Sequence, residues 1–396
     1  MNRHVSPAQA LSLRLPRADR TLETFTLSQP RGFPKKASGA LNRIAYAAAH
    51  VVADPLADID PWLGIAVDWE RTMAFREHLW DLGLAVAEAM DTAQRGMGVD
   101  WPTSLELIKR SVAAGKARGG VVASGAGTDH LAPEDAKSID DVIRAYEEQI
   151  EAIEAAGGRI ILMASRALAK VARGPDDYVK VYGRILKQLR EPTIIHWLGD
   201  MFDPALAGYW GAADLGKAMD TAVAIINDNA AKVDGVKISL LDKDKEIAMR
   251  RRLAKGVRMY TGDDFNYAEL IAGDEEGHSH ALLGIFDVIA PAASAALIDL
   301  AAGDRKRFDE ILAPTVPLSR QIFRAPTRFY KTGVVFMAYL NGHQDHFTMV
   351  GGQESARSTL HLTEIFRLAD AAGLLGDPAL AVARMRSVLA ARGIEA

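Results

Sequence analysis

From Leu41 onward, short apolar runs alternate with longer stretches of helical periodicity, and this happens eight times. The runs are Arg43 to Ala49, Leu84 to Met90, Gly120 to Ser124, Arg159 to Met163, Thr193 to Trp197, Gly235 to Ser239, Val257 to Thr261 and Leu282 to Ala290. Short runs of this kind read as buried strands, and the stretches between them place apolar residues three and four apart. The clearest helix is Ile139 to Ala156, with Ser138 as its N-cap and Gly157-Gly158 as its stop. Tyr178 to Leu189, Leu215 to Asn227 and Lys243 to Lys255 follow the same pattern. Eight βα units over about 250 residues match a (β/α)8 barrel. A nucleotide-binding open sheet is disfavoured, because no G-x-G-x-x-G follows the first strand.

The barrel is expected over residues 41–302, after an arm at 1–40 and before a helical region at 303–396. Within the arm, Thr21 to Leu27 alternates polar and apolar residues, which suits an edge strand or hairpin, and Pro34-Lys35-Lys36 ends it. The helical region closes with Ala379 to Ala391 and is expected to pack on the barrel or on a second copy, so a homo-oligomer is one expectation.

Composition narrows the function classes. The 396 residues are 49% hydrophobic and 25% charged, with a formal charge of −4. That charge and the absence of a basic tract argue against a nucleic-acid partner. Absence of cysteine removes disulfides, thiolate catalysis and cysteine-ligated metals, and suits a reducing compartment. Residues 1–30 lack the apolar core of a signal peptide, and no run approaches the roughly 20 apolar residues of a membrane span. The expectation is a soluble cytoplasmic protein that acts on a small molecule and has no membrane partner.

In a barrel, chemistry gathers where strands end. Polar residues stand there: His50 and Asp54; Asp91-Thr92-Ala93-Gln94-Arg95; Thr128-Asp129-His130; His196; Lys237 and Ser239; Asp263-Asp264; and His278, His280 and Asp287. Lys237 is the sharpest of them. A lysine within an apolar strand is costly to bury unless it is paired, neutral or chemically used. Desolvated, it becomes a nucleophile for carbonyl carbons. The bland alternative is a lysine paired with Asp234 or Asp263. For His196 the alternative is a core histidine beside Trp197, and for Asp263 and Asp264 it is helix capping.

These residues carry a resemblance. Gly235-Val236-Lys237 resembles the G-[IV]-K strand of the dihydrodipicolinate synthase and N-acetylneuraminate lyase superfamily, the Schiff-base class I aldolases and lyases. Tyr260-Thr261-Gly262-Asp263-Asp264 is similar to its S-G-D-D segment, and Ala123 to Thr128 to its A-G-V-G-T/S turn. Ala301-Ala302-Gly303-Asp304 resembles its A-x-x-G-D, and Phe329-Tyr330-Lys331 through Leu340-Asn341-Gly342 its Y-K…L-x-x-G helix. The likeness runs from about Leu41 to Phe347 and marks a divergent branch.

The resemblance implies an imine on Lys237, no metal or organic cofactor, and a lyase, aldolase or related dehydratase acting on a small oxo compound. His196 and Thr92 would move protons, His196 as an imidazole titrating near neutrality. Asp91, Gln94, Ser239, Asp263 and Asp264 would bind substrate. Two departures matter. The family's G-T-T-G-E loop, which holds a carboxylate, is replaced by Met90-Asp91-Thr92-Ala93-Gln94, where Asp91 would repel one. Its strand-five tyrosine is replaced by His196. Both point away from pyruvate, and the polar residues at the barrel mouth suit a keto sugar or sugar-acid derivative and so carbohydrate metabolism. A second reading is a metal-dependent barrel isomerase or aldolase holding a divalent ion at His343 and His346, an H-x-x-H pair. A third is a barrel kept only for binding.

Overall fold

A computed structural model describes residues 11–395. The first ten residues of the expected arm and Ala396 lie outside the described residues. Strands β1 (Ser12–Pro16) and β2 (Leu22–Thr26) pair antiparallel as a hairpin, with Ser12 opposite Thr26. Strands β3 (Ala45–Ala48), β4 (Ala85–Glu88), β5 (Val122–Ala126), β6 (Arg159–Leu162), β7 (Thr193–Leu198), β8 (Val233–Ser239), β9 (Arg258–Thr261) and β10 (His280–Leu283) close into a parallel barrel, with β10 pairing β3. The protein is a (β/α)8 barrel with a helical C-terminal extension.

Local chemistry explains the helices between strands. Ile139–Ala155 starts at a capping box in which Ser138 and Asp141 satisfy each other's backbone N–H, and Gly157 at φ +77° ends it. Asp68, Asp100 and Asp214 cap Trp69–Asp81, Trp101–Arg118 and Leu215–Asp228 in the simpler way, each accepting from a backbone N–H of the first turn.

The eighth run differs from the expectation. Leu282 to Ala290 is not one strand: β10 ends at Leu283, and the chain then turns through the Ile285–Val288 helix into Ala290–Ala301. Every residue of this run is buried, so apolar character could not separate strand from helix. The expected helix over Lys243 to Lys255 is likewise shorter, at Lys243–Arg250.

Alternation along each strand fills the lumen. On β8, Val236 and Ile238 face the helices, while Gly235, Lys237 and Ser239 share the opposite face. Tyr46, Ala87, Ile161, Ile194, Tyr260 and Leu282 form a separate apolar cluster in the lumen. Of the C-terminal helices, Tyr330–Leu340 is buried at all eleven positions. A helix apolar all round belongs in a core, and this one sets its N-terminus at the barrel mouth.

Candidate active site

Lys237 lies on β8 between His196 of β7 and Tyr260 of β9 in the sheet register. It is 7% exposed. Its stem crosses Gly262, where any Cβ would sit 2.8 Å from Lys237 Cε and 2.7 Å from the Ile238 carbonyl oxygen. Ser239 Oγ would be nearer still, at 2.3 Å, so the glycine before Asp263 is a packing requirement of β8 as a whole, the lysine included. Neither suspected partner takes the ammonium. Asp234 accepts from Arg258 and from the Tyr260 hydroxyl (2.6 Å). Asp263 accepts from the Phe265 and Asn266 backbone N–H groups (2.8 and 3.0 Å) and from Asn266 Nδ2 (2.7 Å). Among the described residues, no carboxylate lies within 4.0 Å of Lys237 as an ion pair. Burial lowers the Lys237 pKa, against the opposing pull of Asp91 and Asp264.

A small chamber of about 10 Å³ adjoins the lysine and is lined by Asp91, Thr92, Phe202, Ser239, Asp264 and Tyr330. That is room for about one water, and Phe202, in its wall, stands on the loop after β7. Asp264 points into this chamber with Oδ1 held by the Ile285 backbone N–H at 2.9 Å. Burial pushes its carboxyl up to about 7, although that hydrogen bond and the charge of Lys237 pull the other way. Burial thus shifts both members toward their neutral forms.

Thr92 sits in the 3₁₀ turn Asp91–Ala93, and its Oγ1 lies 2.8 Å from the Tyr330 hydroxyl. Gly284 permits this approach, since a Cβ there would meet Phe323, Tyr330 and Thr92 at 3.1–3.4 Å. Tyr330 stacks on Phe323 with centroids 4.4 Å apart. The sequence offered Tyr330 only as part of a helix motif. Its place opposite Thr92 depends on a contact spanning 238 residues.

His196 is buried, with Nε2 3.2 Å from Ser239 Oγ and no partner for Nδ1. Burial, then the charge of Lys237, depresses it well below the ordinary histidine value. The expectation was an imidazole titrating near neutrality; burial here favours the uncharged ring. It faces a second, outer chamber of about 80 Å³ shared with Asp91, Arg95, Thr128, Arg166 and Asp203. Arg95 stood in the sequence only as one of the polar residues after the second strand, and Arg166 was not named. Arg95 grips Asp129 (2.6 and 3.1 Å), and Arg166 grips Asp203 (2.5 Å). Burial would raise the Asp129 carboxyl, but Arg95 and Gln149 hold it below its usual value. Lys331, next to Tyr330, is buried, and burial pushes it down to about 8.

Gln94 stands apart from both chambers. Its Nε2 donates to the Val350 carbonyl at 2.7 Å and ties the turn to a C-terminal loop. His343 packs against Phe75 and His78, and His346 Nδ1 accepts from the Thr348 N–H at 3.1 Å. Among the described residues, no three His, Cys, Asp or Glu side chains converge as metal ligands. No helix there is long and apolar enough to cross a membrane.

Comparison with known proteins places this geometry. Residues 13–394 match the model of a family described as protein of unknown function (DUF993). No curated protein matches in sequence. Among solved structures, dihydrodipicolinate synthase from Aquifex aeolicus superposes with a TM-score of 0.63 at 13% identity, over 84% of this chain and 98% of that one. The Thermotoga maritima synthase superposes with 0.63 at 13%, over 85% and 100%. The Oceanobacillus iheyensis synthase gives 0.62 at 14%, over 84% and 96%. At such identity the likeness establishes the fold.

Proposed function

The chain belongs to the DUF993 family, and on its barrel we propose a Schiff-base lyase, aldolase or related dehydratase working through Lys237. The observation that carries this reading is a buried lysine without an ion-pair partner, facing a carboxyl of pKa about 7. Lysine must be neutral to attack a carbonyl. Lys237 Nζ adds to the carbonyl carbon while the acid form of Asp264 protonates the oxygen. Loss of that oxygen as water leaves an iminium, which draws electrons from a neighbouring C–C or C–H bond and becomes an enamine. Thr92 and Tyr330 form a hydroxyl pair that carries the proton to or from the bond being broken. His196 is a neutral base for the outer chamber, and Ser239 and Asp91 hold substrate oxygens.

The substrate we infer is a small keto sugar or sugar-acid derivative whose reacting end is uncharged. Asp91 in the inner chamber supports this, as does the engagement of Arg95 and Arg166 by aspartates. The substrate itself is the small-molecule partner. A cytoplasmic setting and a homo-oligomer belong to the same proposal, the former supported by the cysteine-free composition. The test is borohydride reduction with a panel of keto sugars and oxo acids, followed by peptide mass mapping. A substrate-dependent adduct on Lys237 is expected. An adduct on Lys331 instead, or none on either across the panel, removes the proposal.

A further inference from the structure

A further cavity of about 490 Å³ lies outside the barrel lumen, between the Trp69–Asp81 helix and the C-terminal helices. Its size falls within the roughly 300–1,000 Å³ of small-molecule pockets. Phe33, Phe75, Met337 and Leu374 supply apolar walls, and His78 and His343 supply a polar side. The segment around Pro30 to Lys35 roofs it and is fastened in place. Arg31 donates to the Glu310 carbonyl with both Nη atoms (3.2 Å) and through its backbone N–H to Gly373 (3.3 Å), and Ala37 donates to Asp81 (2.8 Å).

The polar side is unfinished. His78 Nε2 is buried without a hydrogen-bond partner. Behind the wall, His50 packs against Phe75 at a 54° tilt with centroids 4.4 Å apart, and its Nδ1 is engaged by Asp287 at 2.7 Å. Buried polar groups normally find partners, so the His78 nitrogen left over in the cavity wall marks where a ligand group would bind. Burial keeps His78 below its ordinary value and pushes His343 down to about 3, so both rings are uncharged at pH 7. Asp287 also faces the cavity. Of the residues lining it, only Lys35, in the roof, carries a positive charge, and a buried anion would find the Asp287 carboxylate instead.

We propose that this cavity is a binding site for an uncharged aromatic molecule carrying one hydroxyl or ring N–H. The ring packs among Phe33, Phe75, Met337 and Leu374, and the polar group meets the imidazole of His78. The site is separate from the Lys237 chambers, and its occupancy does not depend on imine chemistry. Asp287 belongs to the four-residue Ile285–Val288 helix whose first N–H holds Asp264, so the ligand would touch the element that positions that carboxyl.

The test is ligand-observed NMR titration of the full chain with benzyl alcohol and with benzoate, a matched neutral and anionic pair. Saturable binding of benzyl alcohol is expected, with benzoate at least tenfold weaker. Leu374→Trp should fill the cavity and abolish binding. Gly376→Trp, at an exposed position where an added Cβ would make only an ordinary contact with Asn341 Oδ1 at 3.8 Å, gives a second block that spares the core. His78→Leu should weaken binding several-fold. No saturation in the native protein, equal binding of benzoate, or binding unchanged by both tryptophan variants would each overturn the site. Circular dichroism confirms that each variant is folded.

Discussion

Two places in this barrel bury a cation beside carboxylates, and they are built in opposite ways. Arg76 and Glu88, on the first helix and the second barrel strand, are both 0% exposed and complete. Glu88 accepts two N–H groups from Arg76 (2.8 and 2.9 Å), the Ala89 N–H (2.8 Å) and the Ser111 hydroxyl, while Arg76 Nη1 also reaches the carbonyls of Thr72 and His50. Lys237 has carboxylates nearby, yet no ion pair closes on it. Under the proposed function, the contrast separates scaffold from chemistry. A buried charge with every partner in place holds elements together, whereas one left partly unmet has a shifted pKa and can react.

Removing one member of each group should break the comparison most sharply. Arg76→Ala leaves Glu88 buried and alone, and should destabilise the fold by about 3–5 kcal/mol, read by urea unfolding. Lys237→Met should leave the unfolding midpoint equal or higher and abolish turnover. If Lys237→Met destabilises as much as Arg76→Ala, then Lys237 is scaffold too.

Tyr330→Phe probes the hydroxyl pair rather than the nucleophile. It should lower turnover by about 10²–10⁴, the range for a positioned acid or base, while borohydride trapping on Lys237 continues. Loss of both would mean that Tyr330 shapes the chamber rather than moving protons.

Asp264→Asn sharpens the electrostatic side. The Asp264 charge raises the Lys237 pKa, so removing it should lower that pKa further and shift the trapping profile to lower pH. A shift to higher pH would reverse the assigned sign. The smallest effect concerns Glu246, a buried carboxyl outside the site that burial pushes up to about 8. Its raised pKa contributes stability that is full below its ordinary value near 4.5 and lost as pH rises through 8. Glu246→Gln should therefore change the melting temperature little at pH 5 and raise it by a few degrees at pH 9.

The sequence carried the barrel well because the βα rhythm is local: each strand and each cap is written within a few residues. It failed at Leu282 to Ala290, where burial on all sides erases the difference between strand and helix periods. The site was legible where a residue is odd for its own strand, as Lys237 is. Asp264 could be named from its strand end, but its pKa near 7 comes from burial that no spacing reveals. The meeting of Tyr330 with Thr92, the pairing of Arg95 with Asp129 and the tie from Gln94 to the C-terminal loop were not legible. Tyr330 meets Thr92 across 238 residues, and Gln94 reaches the Val350 carbonyl across 256. Those meetings are products of the fold.

The most direct measurement is the pH dependence of amine labelling at Lys237, mapped by peptide mass spectrometry against exposed lysines in the same sample. Lys36 and Lys306, whose side chains are 77% and 86% exposed, serve as the internal reference. Lys237 should reach half-maximal labelling below the ordinary lysine value of 10.5 and below both references. A midpoint at or above those of Lys36 and Lys306 would show a fully charged, unreactive lysine and would contradict the account.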